Sequence, residues 1–305
     1  MAEPAASRPP ARLAGLPRWL WAVLDAVLYS NGLVAGGAAA LAVSSAHYWR
    51  RPLPWTVPAL VLAATLFVYN LNGARRHSQR LPPNVPPRRR WIVQHRPLLV
   101  GIVAASALAL LGLYLVSPYP LRLTGFLAHL ALLSLAYSWP VLPPKQPGGR
   151  RRGLRDWPGL KTLLIAYVWS AVTVWLPALS LGLPLTTPAV GLLFARRFCF
   201  ILAVALVFDL RDYNRDRRNG PLTLPGLLGY QAGRWLALAC TLASVLLLLP
   251  GLALPAQLVL VLPGLLTALV VWFAHETRSD YYYALLADGL LLVQAAALVL
   301  AAGLG

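Results

Sequence analysis

Three aspartates stand together at the end of a long apolar run: Asp209, Asp212 and Asp216. They fall at i, i+3 and i+7, positions that share one face of a helix with 3.6 residues per turn. The chain has nine acidic side chains, so this one short stretch holds three of the nine. The apolar segment Phe198 to Val207 leads directly into it. A strip of carboxylates at the mouth of a buried helix offers hard oxygen ligands of the kind Mg²⁺ takes, and Mg²⁺ commonly shares its sites with substrate phosphates. Arg211, Arg215 and Arg218 are expected on roughly the opposite face. The plainer reading is an amphipathic helix end, with Asp212 paired to Arg215 at i, i+3. The gathering of scarce acids at one span end favours chemistry.

The elements that must position these residues are membrane helices. The chain has 305 residues, 58% hydrophobic and 12% charged, with mean hydropathy +0.63. Soluble domains carry about twice that share of charge. Apolar runs recur at lengths able to cross a hydrocarbon core of about 30 Å. The expected fold is all-α and polytopic, with nine transmembrane helices. They are read at 19–46, 55–72, 98–116, 121–138, 160–181, 187–207, 232–249, 256–274 and 283–303. Residues 1–17 read as a disordered tail, and 18–305 as one transmembrane domain. The first run is too long for a signal peptide and contains Asp25 and Asn31, so it reads as a retained span. Cys199 and Cys240 lie in apolar runs without metal-ligand spacing, and no disulfide framework is implied.

Charge sets the expected orientation. With nine spans, 22 of the 27 Lys and Arg share one side with the N-terminus. That side is expected to be cytoplasmic, at the inner membrane if the source is bacterial. The net charge of +18 then reflects basic loops beside anionic lipid and does not call for nucleic acid. Asp25 and Asp288 are intramembrane acids about two turns inside their spans, where acids are costly and face a cavity or a partner. They are candidates to orient an acceptor or to pair with Arg196 or Arg197, which interrupt the sixth run. Tyr281, Tyr282 and Tyr283 read as an interfacial belt.

The segment Phe208-Asp209-Leu210-Arg211-Asp212 through Asp216-Arg217 resembles the second aspartate-rich motif of the UbiA superfamily of intramembrane prenyltransferases. A second stretch is also similar to family members: Tyr137-Ser138-Trp139-Pro140, then Leu154 to Lys161, then Ile165-Ala166 and Trp169. The resemblance implies a UbiA-type bundle of nine helices with aspartate motifs after spans two and six. It implies a Mg²⁺-dependent enzyme with Asp209, Asp212 and Asp216 as catalytic metal ligands. Such an enzyme moves the prenyl group of a polyprenyl diphosphate to an acceptor and releases diphosphate. It also implies diphosphate contacts from Tyr137 and Lys161. Lys161 sits in the first turn of span five, a poor place for a cation beside the helix dipole, which points to an anionic partner.

The chain departs from the family after span two. Asn70 matches the family asparagine, and the resemblance implies that it contacts the diphosphate, but Leu71, Ala74 and Ser78 stand where aspartates are expected. Arg75 and Arg76 are candidates to hold diphosphate oxygens directly in place of a second metal. The competing expectation is a catalytically silent homologue that binds isoprenoid or lipid. A phospholipid-headgroup transferase is disfavoured because its Asp-Gly, Ala-Arg pattern is absent. A secondary transporter is disfavoured because no internal repeat is evident. Acceptor and prenyl length are not encoded in any readable motif.

Overall fold

The computed structural model describes residues 17–74, 87–116, 121–138, 154, 157–219 and 223–304. All regular structure among them is helical. In chain order the helices are α1 (Arg18–Tyr29), α2 (Gly32–Tyr48), α3 (Thr56–Ala74), α4 (Pro87–Gln94), α5 (Arg96–Val116), α6 (Leu121–Ser138) and α7 (Leu160–Ser180). They continue with α8 (Pro188–Arg211), α9 (Tyr213–Asn219), α10 (Leu224–Leu228), α11 (Tyr230–Leu246), α12 (Leu254–Phe273) and α13 (Tyr282–Gly303). The tail expected at 1–17 lies outside the described residues except for Pro17.

This is a helical membrane protein. Helices α5, α7, α8, α12 and α13 are each long and apolar enough to cross a bilayer. The bent pair α1–α2 makes a sixth if taken as one span, and α3 and α6 contain shorter apolar helices. Each of the nine apolar runs coincides with helix, but among the described residues five or six helices meet the requirement for crossing by length and hydropathy.

The first run is not one straight span. It bends by 61° between α1 and α2. Asn31 sits at the bend in the left-handed conformation, φ 62° and ψ 22°, which asparagine tolerates better than most residues. The sixth run is the opposite case. Arg196 and Arg197 do not interrupt it: α8 is continuous, and both arginines are buried.

Helix α8 is the best buried of these spans and packs between α7 and α11. Helix α2 packs on α13 and α3, and α3 packs on α5. The α2–α13 contact is close because Gly37 has no side chain. A Cβ there would meet Leu291 Cβ at 2.8 Å, the small-residue device of membrane helix pairs. Helix α5 lies outermost, with Leu108, Leu111 and Leu115 exposed where lipid would cover them.

Helix α7 contains a π-turn at Ala171–Trp175. Pro177 follows and has no N–H to give to the carbonyl of Thr173. The widened turn accommodates it, and Ser45 Oγ donates to the freed Thr173 carbonyl at 2.7 Å. The end of the bundle where α1 and α7 begin and α3 and α8 finish is termed the basic end below.

Candidate functional site

The site is built where α8 runs out. Asp212 caps the helix at φ −90°, ψ 4°, and α9 starts afresh at Tyr213. All three aspartates are buried: Asp209 is 2% exposed, Asp212 9% and Asp216 8%. Asp209 Oδ1 accepts from Lys161 Nζ at 3.0 Å, and Oδ2 accepts from Thr162 Oγ1 at 2.5 Å. Lys161 is held there by the start of α7, which follows Gly159 at φ 70°. The anionic partner expected for Lys161 is therefore present, and it is Asp209.

The arginines are not on an opposite face. Arg211 turns back and grips Asp212 with both arms of its fork, Nε to Oδ1 at 3.0 Å and Nη2 to Oδ2 at 3.1 Å. Arg215 Nη2 adds a contact to Asp212 Oδ2 at 2.6 Å. Arg215 meets Asp212 through the i, i+3 spacing of the plainer reading, and the helix break at Asp212 lets its sequence neighbour Arg211 turn back onto it. Arg211 also lies over the rings of Phe208 and Tyr283, at 5.2 and 5.0 Å from their centroids. Asp216 is the least committed of the three, with Arg215 Nε at 3.7 Å. Burial pushes its carboxyl above the ordinary range, and the charges of Asp212 and Asp209 push the same way. Lys161 and Arg215 oppose them.

A second polar group faces the same end. Asn70 is 1% exposed. Its Nδ2 donates to the carbonyls of Ser30 at 2.8 Å and Leu66 at 2.9 Å, and its Oδ1 accepts from Asn31 Nδ2 at 3.0 Å. Both amide hydrogens are committed. The expectation that Asn70 holds diphosphate is thereby corrected: it has no donor left, and it fixes the α1–α2 bend. Arg88 Nη2 donates to Asn31 Oδ1 at 3.0 Å, and the Arg88 backbone N–H donates to Asp280 at 3.3 Å.

Asp25 accepts a short hydrogen bond from the Tyr281 hydroxyl. Asp288 lies within electrostatic reach of Arg88 and Arg211. Neither acid pairs with Arg196 or Arg197, which sit much deeper along α8. The hydroxyls of the tyrosine run are committed within the protein. Tyr281 binds Asp25, Tyr282 donates to the Val270 carbonyl at 2.6 Å, and Tyr283 donates to the His275 carbonyl at 2.7 Å beneath Arg211. Three successive residues point to three partners because neighbouring side chains fan around a helix axis, here at the π-turn Tyr282–Ala287 that opens α13.

Arg75 and Arg76 lie outside the described residues, and so does the side chain of Tyr137 on α6. Sequence reasoning missed Thr162, Arg88 and Tyr283 as parts of this site. Thr162 had one available signal, its position next to Lys161 at a helix start.

Carboxylate oxygens suit Mg²⁺, but the set is partly spoken for. Asp212 is bound by two arginines. Asp209 and Asp216 keep lone pairs beyond their present contacts. Among the described residues no three His, Cys, Asp or Glu side chains converge on one point. Chemically, the site pairs buried acids with cations next to aromatic and aliphatic walls. It can compensate a compact, multiply charged head attached to an apolar body. Comparison with protein-family models, curated proteins and solved structures finds no match to this chain.

Asp216 yields a prediction of its own. A carboxyl held above its ordinary value costs stability as pH rises from the unfolded value through the folded one. Asp216→Asn is therefore expected to raise thermal stability relative to the parent at neutral pH. The two proteins should converge near pH 4, as thermal unfolding in detergent from pH 4 to 8 would record. A gap that widened toward acid would reverse the sign.

Proposed function

We propose that this protein transfers a prenyl group from a polyprenyl diphosphate to an acceptor within the membrane, as a divergent UbiA-type enzyme of nine spans. The basic end is then the cytoplasmic end. The observation that carries the reading is the burial of Asp209, Asp212 and Asp216 at the end of a membrane span, with Lys161, Arg211 and Arg215 converging on them. Acids that merely decorate a helix end would stand in water.

Asp209 and Asp216 are the residues that would hold Mg²⁺. Bound there, Mg²⁺ supplies neutralisation of the departing diphosphate. The chain's own groups do the rest. Lys161 and Arg211 place positive charge beside the leaving oxygens, where it stabilises charge that develops as the allylic carbon–oxygen bond breaks. Phe208 and Tyr283 back the site with rings, and their packing keeps water from a carbocation. Trp169 lies on the Lys161 face of α7, roughly 12 Å deeper at 1.5 Å per residue. Its Nε1 donates to the Tyr69 hydroxyl at 2.9 Å, and Tyr69 is 40% exposed at the bundle surface. A prenyl tail leaving the head site would pass this pair toward lipid.

The test is incubation of the purified protein in lipid with prenyl diphosphates of several lengths, with and without Mg²⁺. Metal-dependent binding and diphosphate release are expected. Trp169→Ala should shift the preferred chain length, with affinity for the shortest substrate little changed. Binding without release under every acceptor tried would favour the silent reading, for which the missing carboxylates after α3 speak. Arg75→Ala should weaken binding more than Arg89→Ala. Equal losses would leave only surface charge.

A further inference from the structure

The end of the bundle away from the acids carries cations without counterparts. Every described Asp and Glu lies toward the basic end, on α1, at the end of α8, on α9, or from Glu276 to Asp288. Within the far half, Arg196 is buried and satisfied by backbone. Its guanidinium donates to the carbonyls of Leu247 at 3.0 Å, Val245 at 3.3 Å and Leu260 at 3.0 Å, which are left over at the end of α11 and at the turn within α12. Arg50 and Arg51 differ. Both are exposed just past the end of α2, and among the described residues neither guanidinium has a hydrogen-bond or ion-pair partner.

Arg50 also stands in an unfavourable conformation. Its φ is 55°, in the left-handed region that the residue after a helix mostly leaves to glycine. The turn is a Schellman motif: the Arg50 N–H donates to the His47 carbonyl at 2.9 Å, and the Arg51 N–H to the Ala46 carbonyl at 3.1 Å. Glycine would close the same turn without strain. The backbone therefore gives no reason for an arginine at this position.

An open cavity of about 590 Å³ lies against these groups, lined by His47, Arg50, Arg51, Pro52, Ala302 and Gly303. The C-terminal ends of α2 and α13 meet there, each with roughly half a negative charge. Together they offset about one of the two arginine charges, and one remains. Trp55 is 70% exposed and marks the headgroup level. One turn toward the membrane centre, Val43 on the His47 face of α2 and Leu300 on the Gly303 face of α13 are exposed to lipid. We infer that this cavity holds the head of an anionic phospholipid. The two guanidiniums grip the phosphodiester oxygens, and the acyl chains lie along Val43 and Leu300. A phosphodiester carries the single negative charge that is left over. The cavity is larger than a bare phosphate needs, and the apolar faces below it select a lipid over a free anion. A choline head would bring an ammonium beside two arginines, whereas a glycerol head would not.

The experiment is native mass spectrometry of the full chain from detergent micelles doped with phosphatidylglycerol, with phosphatidylcholine, or with inorganic phosphate alone. A saturable phosphatidylglycerol adduct is expected, and the double variant Arg50→Gly, Arg51→Gln should weaken it about tenfold or more, the factor one charge-assisted hydrogen bond represents. The double variant Arg89→Ala, Arg90→Ala at the basic end should keep it. Arg50→Gly alone should unfold at a higher temperature in lipid-free detergent, because the turn is relaxed, and still bind the lipid more weakly. Arg51→Gln alone serves if the first double variant fails to fold, with a smaller loss. Equal adducts with the two lipids would overturn the inference, and so would displacement of the lipid by inorganic phosphate at equal concentration. Equal losses in the two double variants would leave only net charge and overturn it too.

Discussion

Replacing Asp209 by alanine is expected to lower Mg²⁺-dependent diphosphate release on the order of 10²–10³-fold, the scale seen in turnover when one preorganised charge-stabilising group is removed, and to weaken Mg²⁺-dependent binding of the polyprenyl diphosphate with it. Asp209 is the most buried of the three acids and the one whose geometry is most fully fixed, with Thr162 on one oxygen and Lys161 on the other. The loss should not be a matter of unfolding. The Lys161 side chain is 25% exposed, so its ammonium stays partly hydrated when its partner is gone. Circular dichroism of the variant should therefore stay close to that of the parent, while the buried Thr162 hydroxyl, left without its acceptor, lowers the unfolding midpoint by the equivalent of about 1–3 kcal/mol. Asp209→Asn keeps an oxygen for Thr162 but loses the charge, and should fall nearly as far. The sign of the change is itself informative. If Lys161 gripped the diphosphate with no metal between, removing Asp209 would take away a competing anion and affinity would rise. Isothermal titration with and without Mg²⁺ separates the two outcomes.

The second large effect concerns stability. Asn70→Leu keeps the volume but strands Asn31 Nδ2 and the Ser30 carbonyl, while the Leu66 carbonyl retains its helical partner. Each buried polar group left unmatched costs about 1–3 kcal/mol, so a loss on the order of 2–4 kcal/mol is expected. Asn31→Ala attacks the same junction and would also release Arg88. The double variant should lose less than the sum of the two, because residues in one hydrogen-bond network do not act independently. Diphosphate affinity in Asn70→Leu should change less than tenfold. A large affinity loss with an unchanged midpoint would return Asn70 to the binding site.

The helices were legible because hydropathy alone decides where a chain can sit in lipid, and the ends of α6 and α13 fall where the apolar runs do. The α1–α2 bend was not legible. It rests on a side chain 39 residues away, and no local signal announces Asn70 as the partner of Asn31. The acidic strip was legible as a cluster, because acids are scarce here and their spacing is regular. The Asp212–Arg215 pair was legible too, as an i, i+3 contact; how Arg211 meets the strip was not, since that depends on one residue, Asp212, leaving the helical conformation. Lys161 carried a usable hint in its unfavourable place at a helix start, and its partner proved to be within the protein. The role of Arg196 is invisible in sequence, because the carbonyls it satisfies belong to helix ends elsewhere in the bundle.

The most direct test is a structure in lipid with a non-hydrolysable polyprenyl thiodiphosphate and Mg²⁺. The diphosphate head is expected between Lys161, Asp209 and Asp216, with the tail descending past Trp169 and Tyr69 to the surface. A head group lodged elsewhere, with Lys161 still on Asp209 and the tail absent from that face, would contradict it.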